Sequence, residues 1–290
     1  MMNKFIKIFQ LIALIAIIFV VACDTVEKPY IEGNPYTGEY DSDLPIRKIL
    51  VEDFTGWACV NCPRASEEIH KLQSSFGGHV IAIGVHAGFF SDPNLGGGPD
   101  FRTDVGLELG GDGMFASGFF NISEQPIGVI NRMNNADDYL IDDANWSKEI
   151  YNILAVNKFA DINIELGFIY DETTKLLEIN VNSETLIELN SKLKLSVYII
   201  ENNIVAKQKD GSETIEDYVH QHVLRAGVNG TWGTEISSTI PLASNTEFDN
   251  EFTYTIDDEW DVSNCAVVAF IYNSETHEVI QAEESNLLGL

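Results

Sequence analysis

Two hydrophobic rhythms divide the chain. In its first half, Ile46 to Phe54 reads as a strand, and Ala65, Ile69, Leu72 and Phe76 then recur at steps of four, three and four before Gly77-Gly78. That spacing lines one face of a helix and the glycines end it. Val80 to Val85 is a short apolar strand, Pro126 heads an apolar run to Asn131, and Trp146, Ile150, Ile153 and Leu154 mark a helix face behind an Asn145 cap. After Lys158 the period falls to two: Ile162, Ile164, Leu166, Phe168 and Tyr170 alternate with Asn163, Glu165, Gly167 and Ile169. Asp171 to Thr174 makes a turn before a second alternating run, Leu177, Ile179 and Val181, and strand-like runs follow at 193–200, 204–207, 252–256, 266–272 and 279–282. The pattern predicts an α/β domain over 46–158 and an antiparallel β-sandwich of immunoglobulin-like kind over 159–290.

The first 45 residues follow neither rhythm. Lys4 and Lys7 precede an apolar run from Leu11 to Ala22, which ends in Val20-Val21-Ala22-Cys23. As a helix that run rises only about 18 Å, short of a hydrocarbon core of roughly 30 Å, so it reads as a signal peptide over 1–22. Its end resembles the bacterial lipobox, which implies lipidation of Cys23 and a membrane anchor made of acyl chains. Residues 23–45, punctuated by Pro29, Gly33, Pro35, Gly38 and Pro45, then read as a tether.

Charge narrows the partners. The 290 residues carry 17 Lys+Arg against 45 Asp+Glu, a formal net charge of −28. Such a surface repels polyphosphate and anionic head groups, which argues against nucleic acid and against polybasic docking on a membrane. With only 4 Cys the chain is no disulfide scaffold, and each cysteine is read by itself.

Cys59-Val60-Asn61-Cys62-Pro63 stands between the first strand and the first helix. In a strand–dithiol–helix–strand unit the first cysteine meets the helix N-terminus, where free amides and the helix dipole favour thiolate, and a first-turn proline forfeits no helical bond. The stretch resembles the thioredoxin superfamily. Under that resemblance Cys59 is the nucleophile and Cys62 the resolving thiol. Asp53, six residues before Cys59, accepts the proton, and Pro126 is the cis-proline that aligns a substrate strand. Ala58 between Trp57 and Cys59, and Val60-Asn61 between the cysteines, depart from the common pattern and leave substrate and potential open.

The remaining candidates are weaker. His220 and His222 share a face if Tyr218 to Arg225 is one strand, but no third metal ligand is identifiable, so a structural pair is expected and neither metal nor cofactor is assigned. One Cys-x-x-Cys supplies only two zinc ligands. The Gly- and Asp-rich stretch from Asp92 to Gly113 fits neither a phosphate loop nor a calcium hand and reads as a solvated insertion, and Cys265 as a buried, inert thiol. Together the lipobox, the Glu52 to Pro63 stretch, Val85 to Gly88, Pro126 to Arg132 and Tyr218 to Arg225 resemble the outer-membrane protein twenty-eight family. The resemblance implies a lipoprotein of the bacterial outer membrane, periplasmic or surface-exposed, proposed as an adhesin or receptor. Two readings follow. In one the chain binds a protein ligand and Cys59–Cys62 is a structural disulfide; in the other it is an envelope thiol–disulfide oxidoreductase with disulfide clients.

Overall fold

The computed structural model describes residues 45–113, 117–134 and 138–288. Cys23, the signal peptide and all of the tether before Pro45 lie outside them. Among the described residues no helix is long and apolar enough to cross a membrane.

Strand β1 (Ile49–Thr55) leads through the dithiol turn into helix α1 (Cys62–Phe76) and back along the parallel strand β2 (Val80–His86). The apolar face of α1 is the expected one: Ala65, Ile69, Leu72 and Phe76 are all buried. A short helix α2 (Asp104–Gly110) follows, then β3 (Ile127–Ile130), antiparallel to β1, the two-residue β4 (Leu140–Ile141), and helix α3 (Trp146–Val156). In α3, Trp146, Ile150, Ile153 and Leu154 are buried as expected. Asn145 stands at the cap position without a side-chain capping bond, and Asp142 instead caps the preceding turn by accepting from the amide of Ala144.

The second half supplies β5 (Ile162–Asp171), β6 (Leu176–Thr185), β7 (Leu193–Glu201), β8 (Ile204–Asp210), β9 (Glu213–His220), β10 (Val223–Gly227), β11 (Thr234–Ser237), β12 (Glu247–Thr255), β13 (Cys265–Asn273) and β14 (Val279–Asn286). The period-two reading placed β5 and β6 well and started β12 late, and it did not separate β9, β10 and β11. A three-stranded sheet β12-β6-β5 faces β7 and β13, with Ile162, Ile164, Leu177, Ile179 and Val181 meeting Leu195, Val197, Ile199, Val267 and Ala269. This is a β-sandwich, as alternation implies, but its second layer continues into strands of the first half.

The boundary at 158/159 does not separate two sheets. A nine-stranded sheet runs β14-β13-β7-β10-β2-β1-β3-β4, with β11 added to β7, so five strands of the second half and four of the first form one continuous sheet. Strand β10 makes the junction: it runs parallel to β2 at Val223–Gly84 and antiparallel to β7. On one face Leu50, Phe54 and Ile83 from the first half share a core with Tyr198, Ile200, Val268 and Phe270 from the second. Into that core Glu52 and Arg132 insert a buried, two-pronged ion pair, Nε to Oε2 at 2.8 Å and Nη2 to Oε1 at 2.6 Å, and Phe270 stacks 4.9 Å from the guanidinium.

Candidate functional site

The dithiol turn leaves the sheet at the end of β1. Gly56 makes the turn possible by proximity: a Cβ there would lie 2.4 Å from the carbonyl carbon of Phe90. The amide of Cys59 donates to the Gly56 carbonyl at 3.0 Å, and helix α1 begins at Cys62, so it is Cys62 and not Cys59 that stands in the helix proper. The two cysteines form a disulfide with their Cα atoms 5.4 Å apart. Both are buried, with relative exposures of 1% for Cys59 and 3% for Cys62. An attacking thiol therefore meets no open sulfur.

Three segments of the chain's own backbone do the covering. The amide of Ala58 donates to the carbonyl of Phe90 at 3.0 Å, while the Phe90 amide donates to Oε1 of Gln125 at 3.2 Å. Gln125 precedes Pro126 through a cis peptide bond, and its Nε2 donates to the Ala87 carbonyl at 2.8 Å. Phe90 thus bridges the ground between the dithiol turn and the proline. The glycine-rich stretch is the second cover. Its tips at Asn94, Gly96 and Gly97 are exposed, but it packs on Trp57: a Cβ on Gly98 would fall 2.0 Å from the Trp57 ring, and the Trp57 indole donates to the Asp92 carbonyl at 2.9 Å.

The third cover is the β8–β9 hairpin, which arrives from about 150 residues further along. The amides of Lys209 and Gly211 donate to the carbonyls of Trp57 and Val60 at 2.8 and 2.9 Å. Buried Gln208 donates through Nε2 to the Cys59 carbonyl at 3.0 Å, and Lys209 Nζ lies 5.3 Å from the Trp57 ring centre. Sequence reasoning missed Phe90 and Gln208 because nothing local marks a partner so distant.

Asp53 lies beneath. Its register partners Gly84 and Gly128 place it on the sheet face that α1 covers. One carboxyl oxygen has no hydrogen-bond partner, and burial, with Asp143 adding like charge, pushes its pKa up to about 8. Near neutral pH this carboxyl is largely protonated, and it lines the same small cavity as Cys62.

His220 and His222 do not share a strand. His220 ends β9, whereas His222 lies in the bend before β10 at a left-handed φ of 56°. The sheet requires the bend, since the Gly84 amide donates to the His222 carbonyl at 2.7 Å and so starts the β2–β10 pairing. A cavity of about 30 Å3 nevertheless gathers His86, His220 and His222 with Asp53, Cys62 and Gln208. Burial pushes the pKa of His86 down to about 3 and those of His220 and His222 to about 4, with His220 adding to the effect on His86 and His70 to that on His222. All three imidazoles are neutral at pH 7. Among the described residues no three His, Cys, Asp or Glu side chains are arranged to hold a metal ion. Cys265, free and buried at the head of β13, has a thiol pKa pushed up to about 12, chiefly by burial, and is inert at neutral pH.

A search of the curated proteins gives no match. Among solved structures, HBP35 of Porphyromonas gingivalis is 18% identical, with 84% of this chain and 76% of that one aligned at a TM-score of 0.62, which shows a shared fold. A domain of the outer membrane lipoprotein Omp28 from Porphyromonas gingivalis is 26% identical over 44% of this chain and 88% of that one, at a TM-score of 0.32. The family described as outer membrane protein Omp28 matches residues 116–287, more than half of the sequence, and the chain belongs to that family.

Proposed function

We propose that this outer-membrane-family protein is a lipid-anchored binding protein of the bacterial envelope. The N-terminal lipid on Cys23 is its membrane contact, and a protein ligand is its partner. Its β1–α1–β2–β3 unit is read as a thioredoxin-like module and its β-sandwich as an immunoglobulin-like one, both serving as scaffold. The observation that carries binding over catalysis is the covered disulfide: Cys59 and Cys62 are 1% and 3% exposed, and Phe90 bridges the ground between them and Pro126. A resting oxidoreductase needs its attacking sulfur at the surface and a base beside the second thiol. The first condition is not met here, so the oxidoreductase alternative has no support in this exposure.

Two measurements test the reading. Cys23→Ala should abolish labelling by a tagged fatty acid and leave the chain unprocessed or outside the membrane fraction; equal labelling of wild type and variant ends the lipoprotein reading. A Cys62→Ser chain expressed in the envelope should collect no mixed disulfides, and the native disulfide should have a potential below about −300 mV, in the range of resistant structural bonds. Client proteins trapped on Cys59 would establish the oxidoreductase instead.

A further inference from the structure

We infer that the β8–β9 hairpin is a lid over the Cys59–Cys62 disulfide, shut in this structure and able to lift while the two larger sheets stay folded. The first ground is its independence. Strands β8 and β9 form a two-stranded sheet of their own and join the nine-stranded sheet only through their ends, at β7 on one side and β10 on the other. A two-stranded hairpin is marginally stable without a surface to lie on, and openings of low free energy are drawn from such elements.

The second ground is how little holds it down. Its polar ties fall on one short stretch, from the Lys209 and Gly211 amides to the Trp57 and Val60 carbonyls, and from Gln208 Nε2 to the carbonyls of Cys59 and, at 3.4 Å, Gly56. Tyr218 adds a hydroxyl contact to Ser66 on α1, the His220 ring packs 5.0 Å from Phe101 and 5.8 Å from His86, and Lys209 lies over the Trp57 ring. The outer side of the hairpin exposes the cross-strand pair Val205 and Val219. Among the described residues no element is packed over that pair to pin the hairpin from outside.

The third ground is what closing leaves unpaired. Both ring nitrogens of His86 and of His222, and Nε2 of His220, are buried without a hydrogen-bond partner of good geometry, although the His86 ring lies near the Gly84 backbone. A buried polar group without a partner forfeits its hydration for nothing in return. The closed state carries that deficit at the floor of the hairpin, and lifting restores water to the imidazoles. Cys62 lines the same cavity, so the movement that hydrates the histidines also uncovers its sulfur.

The test uses the full chain and dithiothreitol. One thiolate of the reagent attacks a disulfide sulfur, the other sulfur leaves as a thiolate, and the second reagent thiol closes its own ring to release the remaining cysteine; alkylation and mass measurement count the free thiols. Reduction should be far slower than in the urea-unfolded chain, and at low urea its rate should depend on urea much more weakly than global unfolding followed by circular dichroism. Gln208→Ala should speed native-state reduction about tenfold, the value of one lost buried side-chain bond. Native reduction as fast as in the unfolded chain overturns the lid, because nothing is shut. A urea dependence equal to that of global unfolding overturns it too, because the hairpin is then a fixed cover. A folded Gln208→Ala with an unchanged rate has the same consequence, and should that variant fail to fold, the urea dependence of the unaltered chain decides alone.

Discussion

Asp53 and Glu52 are neighbours in β1 and meet opposite faces of one sheet, and their carboxyls are handled in opposite ways. Glu52 is paired with Arg132, whose guanidinium it holds in two bonds inside the core. Removing one charge of such a pair strands the other in a medium that cannot solvate it. Glu52→Gln is therefore expected to lower stability by about 3–5 kcal/mol in denaturant unfolding. A loss below about 1 kcal/mol would show that Arg132 finds another partner. Asp53 has no cation and keeps its proton instead. A carboxyl whose folded pKa lies above its unfolded value binds its proton more tightly when folded, so its contribution is complete below about 3.8 and is lost as pH rises to about 8. Asn mimics the protonated form at every pH. Asp53→Asn should thus change little at pH 4 and stabilise progressively up to pH 8, by an amount on the order of 4 kcal/mol at neutrality. Melting temperatures at the two ends of that range check it, and a variant less stable at pH 8 than at pH 4, relative to wild type, would mean that Asp53 is ionised and paired.

At the scale of elements, what was legible in the sequence was whatever a local period or a neighbouring residue decides. Helix α1 reads from Ala65, Ile69, Leu72 and Phe76 because burial on one face imposes a helical spacing, and β5 reads from its alternation because one of its faces meets solvent. Strand β9 did not read. Its residues from Glu213 to Asp217 are all exposed, so no inward row exists to produce a period. The break between β9 and β10 was hidden for a different reason: Gln221-His222 looks like two more positions of a strand, and only the pairing of β10 with β2 requires the bend there. The candidate site was half legible on the same terms. Cys59, Cys62 and Asp53 announce themselves by type and spacing within ten residues, whereas Gln208, 149 residues from the Cys59 carbonyl it holds, is one glutamine among several until the chain is folded. In the glycine run at 96–98, Gly96 and Gly97 are exposed as a solvated loop should be. Only the folded chain shows why Gly98 is glycine: the Trp57 ring leaves no room there for a Cβ.

For the whole molecule, the decisive feature is a sheet that ignores the change of period at Lys158. Strand β2 is flanked by β1 from its own half and by β10 from the other, and its inward side chains Ile81, Ile83 and Val85 share a core with Tyr198, Ile200, Leu224, Val268 and Phe270. A chain ending at Lys158 would lose those five side chains together. At about 1.5–3 kcal/mol for each large apolar side chain buried, their loss forfeits on the order of 10 kcal/mol, comparable with the whole stability of a domain. It would also leave β2 as an open, apolar edge strand and strip Tyr198 and Phe270 from around the Arg132–Glu52 pair, leaving that buried charge pair facing water on one side. The shortened chain is expected to show no cooperative unfolding transition and no slow amide exchange over Val80 to His86, while the same amides in the full chain exchange only through global opening. Cooperative melting of the shortened chain with protected β2 amides would mean that the first 158 residues complete their own core, and that the second half docks on it as a separate body.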